Sequence, residues 1–194
     1  MVKKEIVGYD FDKTIYDGDS STDFFFYMIS TRPYLLIFTL WFLIVIALYG
    51  MRILSKKKTK ECLFFFVPWF KNINRIVDKF WCRNANKIKD WYSIQKRDDD
   101  IIITASLGFI VKPMADALNI KSLIATNFST STGKIVGKNC YGNQKVVEFQ
   151  RLYPKHILTA YYSDSLSDKP VMELAGKGFL VDGNKITEVN LEEQ

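Results

Sequence analysis

The sequence predicts an α/β fold, a parallel sheet carrying an α-helical cap inserted between its first and second core strands. Three observations predict it. Short apolar runs that end in carboxylates or hydroxyls occur at 6–12 and 101–106. Strand-like and helix-like segments alternate after residue 100, the pattern of a parallel sheet with crossover helices. Between these regions, residues 18–97 show no such alternation and carry only helical spacing and apolar runs.

In chain order, Ile6–Asp12 (IVGYDFD) reads as a buried strand whose tip carries chemistry. The N-terminal MVKKEIVGYDFD lacks the apolar core of a secretory leader. Within the insertion, residues 33–51 (PYLLIFTLWFLIVIALYGM) contain no charged side chain. An aromatic patch follows at 63–70, then a stripe of Ile73, Ile76, Val77, Phe80, Trp81, Ile88, Trp91 and Tyr92 at helical intervals. IIITAS at 101–106 is the second strand, Phe109–Leu118 a helix, and SLIAT at 122–126 the third strand. GKIVGK at 133–138 reads as a small hairpin arm and Gln144–Leu152 as a helix. ILTAYYS at 157–163 is a fourth buried strand, Lys169–Ala175 a helix, and Gly178–Val181 and Ile186–Val189 short closing strands. The expected division is therefore a core of 1–17 and 98–194 and a cap of 18–97.

The chain has 194 residues, 48% of them hydrophobic, enough for one domain with a sizeable insertion and against disorder. Net charge is +6. The excess crowds beside the greasiest segment, at Arg52, Lys56, Lys57, Lys58 and Lys60 and again at Lys71, Arg75, Lys79, Arg83, Lys87 and Lys89. That distribution favours an anionic membrane surface over nucleic acid. Cys62, Cys82 and Cys140 have neither disulfide nor metal-site spacing, read as small buried hydrophobes, and suit a reducing cytoplasm.

Ligands of open α/β sheets bind beyond the carboxyl ends of the strands. Those ends present Asp10 and Asp12, Thr104 and Ser106, and Asp164 and Asp168, with Lys145 at a loop–helix junction. Crowded carboxylates repel unless a hard cation such as Mg²⁺ neutralises them, and a lysine with a hydroxyl complements a phosphate. A carboxylate can attack such a phosphate to give an acyl phosphate.

Asp10-Phe11-Asp12-Lys13-Thr14 resembles motif I (DxDx[TV]) of the haloacid dehalogenase (HAD) superfamily. Thr104 resembles its motif II hydroxyl, Lys145 its motif III lysine, and Tyr162–Asp168 (YSDSLSD) its motif IV. The resemblance implies a HAD-like Rossmannoid sheet and a phosphatase. It makes Asp10 the nucleophile and Asp12 the general acid and base. Mg²⁺ would sit on Asp10, the Asp12 backbone carbonyl and Asp164, and Thr104 and Lys145 would hold the phosphoryl oxygens. Asp168 would position Lys145 or a metal-bound water. The inserted cap resembles that of the phosphoserine-phosphatase-like branch, subclass IB. Arg32-Pro33, the aliphatic run, the basic residues and SDSxxD together are similar to the phosphatidylglycerophosphatase C group, enzymes of a phospholipid precursor. Lys13 stands where Gly or Ser is usual, and Ser163 where Gly is.

Plainer readings apply elsewhere. Ser106 reads as a local helix cap. Asp17 and Asp19 read as solvated turn residues, with Asp19 placed to face substrate from the cap base. His156 reads as structural, and Asp98-Asp99-Asp100 as a solvated turn at the sheet's far end.

Residues 33–51 are long enough to cross a bilayer. Yet Asp10 precedes them, and Thr104, Lys145 and Asp164 follow. All must meet one phosphate on one side of any membrane, so the number of crossings is even or zero. The one available return leg, Cys62–Phe70, reaches roughly 14 Å as helix against about 30 Å of hydrocarbon. Two arrangements remain: a helical hairpin dipping into one leaflet with basic flanks on headgroups, or a helix buried in the cap or a dimer. The first is favoured, and it predicts a Mg²⁺-dependent phosphatase of a phosphorylated lipid at the cytoplasmic membrane surface. The alternatives are a soluble phosphatase of a small metabolite such as phosphoserine, and a non-catalytic membrane-binding module.

Overall fold

The computed structural model describes residues 4–191. Positions 1–3 and 192–194 of the expected core lie outside them. Among the described residues there are eight strands and eight α-helices: β1 (Lys4–Tyr9), α1 (Ser20–Thr31), α2 (Thr39–Gly50), α3 (Lys56–Leu63), α4 (Ile73–Asn84), α5 (Asp90–Gln95), β2 (Ile101–Leu107), α6 (Gly108–Ala117), β3 (Ser122–Thr126), β4 (Phe128–Ser129), β5 (Lys134–Ile135), α7 (Asn143–Leu152), β6 (His156–Ser163), α8 (Lys169–Ala175), β7 (Gly178–Asp182) and β8 (Lys185–Val189). Six strands form one mixed sheet in the order β3-β2-β1-β6-β7-β8, parallel except for the β7–β8 hairpin.

Strand alternation sorts the core into two layers. Ile101 and Ile103 of β2 pack with Phe149, Val171 and Met172 of α7 and α8 on one face. Ile102 joins Ile110, Val111 and Met114 of α6 on the other, and that layer runs on into the cap through Phe11, Phe24 and Phe80. β1 lies inside the sheet, and its pairing with β6 brings Asp10 N to 2.8 Å from the Tyr162 carbonyl. Gly8 makes that register possible: a Cβ there would stand 2.8 Å from Leu158 Cδ1 and 2.9 Å from Tyr161 Cδ2.

Helices α1–α5 follow β1, and β2 follows them. The stripe from Ile73 to Tyr92 does not run as one helix. Ala85–Lys87 form a 3₁₀ turn and Ile88 bridges to Tyr16, so tertiary pairing to the loop after β1 overrides helical spacing. The expected hairpin at 133–138 is centred earlier, with β4 and β5 pairing Phe128 to Ile135. Cys82 is exposed rather than buried, because the inward face of α4 carries Val77, Phe80 and Trp81; Cys62 is partly exposed and Cys140 buried. Asp100 is also not a solvated residue. Its Oδ2 accepts from Arg97 N at 2.8 Å to close the turn before β2, and burial pushes its pKa up to about 6. His156 begins β6, with its ring against Tyr153.

The apolar run begins with a 3₁₀ stretch, Pro33–Phe38, and continues as α2. Thr39 N donates to the Leu36 carbonyl, and the 3₁₀ stretch passes into α2 without an intervening loop. The chain then folds back: Trp41 Nε1 donates to the Cys62 carbonyl at 3.1 Å, and Phe42 packs on Phe25, Phe65 and Phe66. Only Leu35, Phe42 and Val45 of this segment are buried. The chain itself covers 17% of Pro33–Gly50, so the cap does not enclose it, and Ile37 and Leu40 stand 82% and 71% exposed.

Candidate active site

The carboxyl ends of β1, β2 and β6, the start of α7 and the cap helices α1–α3 surround a cavity of about 510 Å³. Asp10, Asp12, Asp19, Thr104, Lys145, Asp164 and Asp168, the residues singled out from sequence, all line it. Ser106, Lys60 and Asn139 line it too.

Lys145 is the electrostatic centre. Gly142, at φ 55° where a side chain would be strained, turns the chain into α7 and leaves Lys145 on the helix's first turn. Its ammonium is 1% exposed and lies 2.6 Å from Asp168 Oδ2, 3.2 Å from Asp10 Oδ1 and 3.1 Å from Tyr161 Oη. Burial works against that charge, but Asp10 and Asp168 outweigh it and raise the pKa. Asp168 also accepts from Ser163 Oγ at 2.8 Å. Of the two tasks open to Asp168, the geometry places it on Lys145.

Asp10 keeps one hydrogen bond to its own loop, Phe11 N to Oδ1 at 2.8 Å. Burial raises its pKa, Lys145 opposes the rise, and Asp168 adds to it. Asp12 faces different partners. Its Oδ1 accepts from Ser20 N at 2.8 Å, and its Oδ2 accepts from Ser106 Oγ. Burial, helped by Asp19, pushes Asp12 up to about 7 against those hydrogen bonds. Asp19 caps α1 by accepting from Thr22 N at 2.7 Å while lining the cavity.

Asp164 follows β6, and its N–H donates to Thr14 Oγ1 at 2.9 Å, tying the fourth motif to the first. Burial and then Asp10 raise its pKa. Two hard carboxylates that disfavour each other's charge, Asp10 and Asp164, suit a divalent cation with oxygen preference. With the Asp12 backbone carbonyl they are the groups that would hold Mg²⁺. Among the described residues no three acidic, His or Cys side chains cluster into a metal site by themselves.

Three residues depart from their sequence reading. Ser106 is not a helix cap: α6 has no side-chain cap, and the Ser106 hydroxyl serves Asp12. Thr104 and Ser106 lie two apart on β2, so strand alternation puts both on one face, a signal the sequence contains. Lys60 does not point at a surface; it enters the cavity and donates to the Ala105 carbonyl at 2.6 Å and Asn139 Oδ1 at 3.0 Å. Lys89 is buried, donating to the carbonyls of Lys13 and of Gly183, the latter at 2.7 Å. It thereby anchors Lys13, which takes a left-handed φ of 56° beside Asp12.

The model of the haloacid dehalogenase-like hydrolases matches residues 7–173. A Mycobacterium tuberculosis protein named "Probable phosphatase" is 33% identical over 95 residues, covering 45% of this chain and 33% of its own. The match thus spans about a third of that curated relative's length. Among solved structures, a Bordetella pertussis Tohama I protein of unknown function superposes with a TM-score of 0.78 at 18% identity, covering 91% of this chain and 89% of its own. A phosphoserine phosphohydrolase-like protein from Francisella tularensis gives 0.56 at 18% identity, covering 90% and 85%.

Proposed function

Because the chain belongs to the haloacid dehalogenase-like hydrolases, we propose that it is a phosphomonoester hydrolase working through an aspartyl phosphate on Asp10. The carrying observation is the division of labour between two carboxyls of one loop. Asp10 lies 3.2 Å from a buried ammonium, whereas Asp12 is held by Ser106 and Ser20 and pushed up to about 7.

The chemistry follows from those positions. Lys145 and Thr104 take phosphoryl oxygens of the substrate. Asp10 attacks phosphorus as the ester P–O bond breaks, and Asp12 gives its proton to the departing oxygen. Asp12, now a carboxylate, takes a proton from water, whose oxygen attacks the aspartyl phosphate to free Asp10 and inorganic phosphate. A group titrating near neutrality suits both halves of this cycle. Mg²⁺ held by Asp10, the Asp12 carbonyl and Asp164 would supply charge neutralisation on the transferred group.

The substrate we propose is a phosphorylated lipid such as phosphatidylglycerophosphate, met at the cytoplasmic face of the cell membrane by a cap of the subclass IB type. What supports this is continuity: the cavity that holds Asp10 is also walled by Phe26, Ile46 and Tyr49, which are 62%, 53% and 41% exposed. Ile46 and Tyr49 belong to the uncovered Pro33–Gly50 segment. An exposed apolar patch of that extent marks an interaction surface.

The test is Mg²⁺-dependent phosphate release from detergent-dispersed phosphatidylglycerophosphate, measured against phosphoserine. A preference for the lipid is expected, with Asp10→Asn about ten-thousandfold slower or worse. A preference for phosphoserine would overturn the lipid substrate, and full activity in Asp10→Asn would overturn the mechanism.

A further inference from the structure

The four lysines of α3 divide in a way their sequence spacing does not announce. Lys58 lies 3.6 Å from Glu61, and Lys57 donates to the Gly137 carbonyl at 2.5 Å. Lys56 and Lys60, one helical turn apart, both line the cavity. Like charges four residues apart destabilise a helix. Neither has a carboxylate within ion-pair distance among the described residues. Lys56 lies over the Tyr141 ring, its ammonium 3.3 Å from the ring centroid, and Lys60 has only two neutral acceptors, which leaves one of its three N–H groups free for a ligand.

We propose that Lys60 and Lys56 form an anion subsite for the leaving group, so that the preferred substrate carries a second negative group besides the phosphate it loses. The inference rests on the phosphatase reading above and deepens it. Lys145 and Lys60, two of the four lysines that line the cavity, have separate neighbours. Lys145 is committed to Asp10 and Asp168, at the nucleophile. Lys60 is anchored on Ala105, the residue between Thr104 and Ser106, and Ser106 donates to Asp12, the acid that serves the leaving oxygen. Anything attached to that oxygen must therefore pass Lys60 first and then Lys56 at the exposed side. Burial pushes the Lys60 ammonium down to about 8 although Asp12, Asp19 and Asp10 pull the other way, so an arriving anion would also relieve an unfavourable charge. Asn139 fixes the anchor: its Oδ1 accepts from both Lys60 and, at 3.1 Å, Thr126 Oγ1. An ammonium takes any anionic oxygen, whether phosphodiester or carboxylate, so lipid and soluble esters both satisfy the chemistry.

The experiment compares kcat and KM of the full chain with Mg²⁺ on two substrate pairs. Glycerol 3-phosphate and 3-phosphoglycerate form the soluble pair; dispersed phosphatidic acid and phosphatidylglycerophosphate form the lipid pair. In each, the second member adds an anionic group. We expect kcat/KM to favour the doubly anionic member about ten- to a hundredfold in at least one pair, mostly through KM, the range of a charge-assisted hydrogen bond. Preference in both pairs assigns any second anion; preference in the lipid pair alone assigns the headgroup. Lys60→Met and Lys56→Met each bring that ratio towards one, Lys60→Arg retains it, and Lys112→Met, the same charge change outside the cavity, keeps the wild-type ratio. Ratios near one in the wild-type enzyme overturn the subsite, as does a Lys60→Met variant that slows both members of a pair equally. If no ester in either pair releases phosphate, the phosphatase reading itself fails.

Discussion

Replacing Lys145 by Met should separate the structural from the chemical task of the site. The ammonium is 1% exposed and neutralises Asp168 at 2.6 Å and Asp10 at 3.2 Å. Removing one partner of a buried ion pair costs about 3–5 kcal/mol. Asp168 keeps the Ser163 hydroxyl at 2.8 Å and Asp10 keeps Phe11 N at 2.8 Å, which argues for the low end, about 3 kcal/mol. For a chain of this size that is a fall in Tm of roughly 6–12 °C. Urea unfolding followed by circular dichroism without added Mg²⁺ measures it. The sign of the pH dependence follows from the same groups. Without the ammonium, the folded-state pKa of Asp10, already raised by burial, rises further above its unfolded value. The deficit is then present above that folded pKa and shrinks as pH falls towards the unfolded one. Lys145→Met combined with Asp168→Asn should regain part of the stability and none of the activity, because one of the two carboxylates left without a cation is gone while the phosphate still lacks its own. A loss below about 1 kcal/mol, or a double variant no more stable than the single one, would refute the assignment of Lys145 as the charge centre.

Two further outcomes test other parts of the site. Ser106 donates to the charged form of Asp12 and so lowers its pKa; Ser106→Ala should raise it, moving the alkaline limb of kcat/KM upward from about 7 by about one unit. A limb that stays put or moves down would return Ser106 to a packing role. Exchanging Ile37 and Leu40, 82% and 71% exposed, for Glu should weaken flotation with anionic liposomes by at least about a hundredfold, since each buried apolar side chain contributes about 1.5–3 kcal/mol. If the double variant instead turns a dimer into a monomer and floats as before, a second copy of the chain covers this face.

The legible part of the site is the part that strand geometry dictates. Asp10, Asp164 and Thr104 stand at or near the ends of apolar runs, and an apolar run bounded by turns is read directly as a buried strand. Parallel pairing then brings those ends together. Lys145 was reachable through its place at a loop–helix junction after the 133–138 segment. What sequence concealed were choices made by tertiary contacts. Lys60 and Lys89 look like members of surface charge series, yet one is drawn into the cavity by the Ala105 carbonyl and the other into the fold by the carbonyls of Lys13 and Gly183. Spacing alone cannot tell an ammonium in water from one satisfied by backbone oxygens. Ile88 fits the helical stripe equally well, and only its bridge to Tyr16 shows that the helix must stop.

The apolar segment gains its meaning from the contacts beside that bridge. Tyr16 Oη donates to Asp23 Oδ2 at 2.5 Å, and Lys87 Nζ reaches the same oxygen at 2.9 Å, so α1 and the 3₁₀ turn Ala85–Lys87 are tied at the loop carrying Asp10 and Asp12. The uncovered segment lies between those ties in the chain, and Ile46 and Tyr49 of α2 form part of the cavity wall. A surface that binds through Ile37 and Leu40 therefore holds the apolar segment whose α2 borders the cavity of Asp10 and Asp12. On the membrane-surface proposal, docking and substrate entry then become one event: a lipid leaving the bilayer along α2 meets Lys56 and Lys60 before its phosphate reaches Asp10. A cap bound through a remote face would leave those two steps independent.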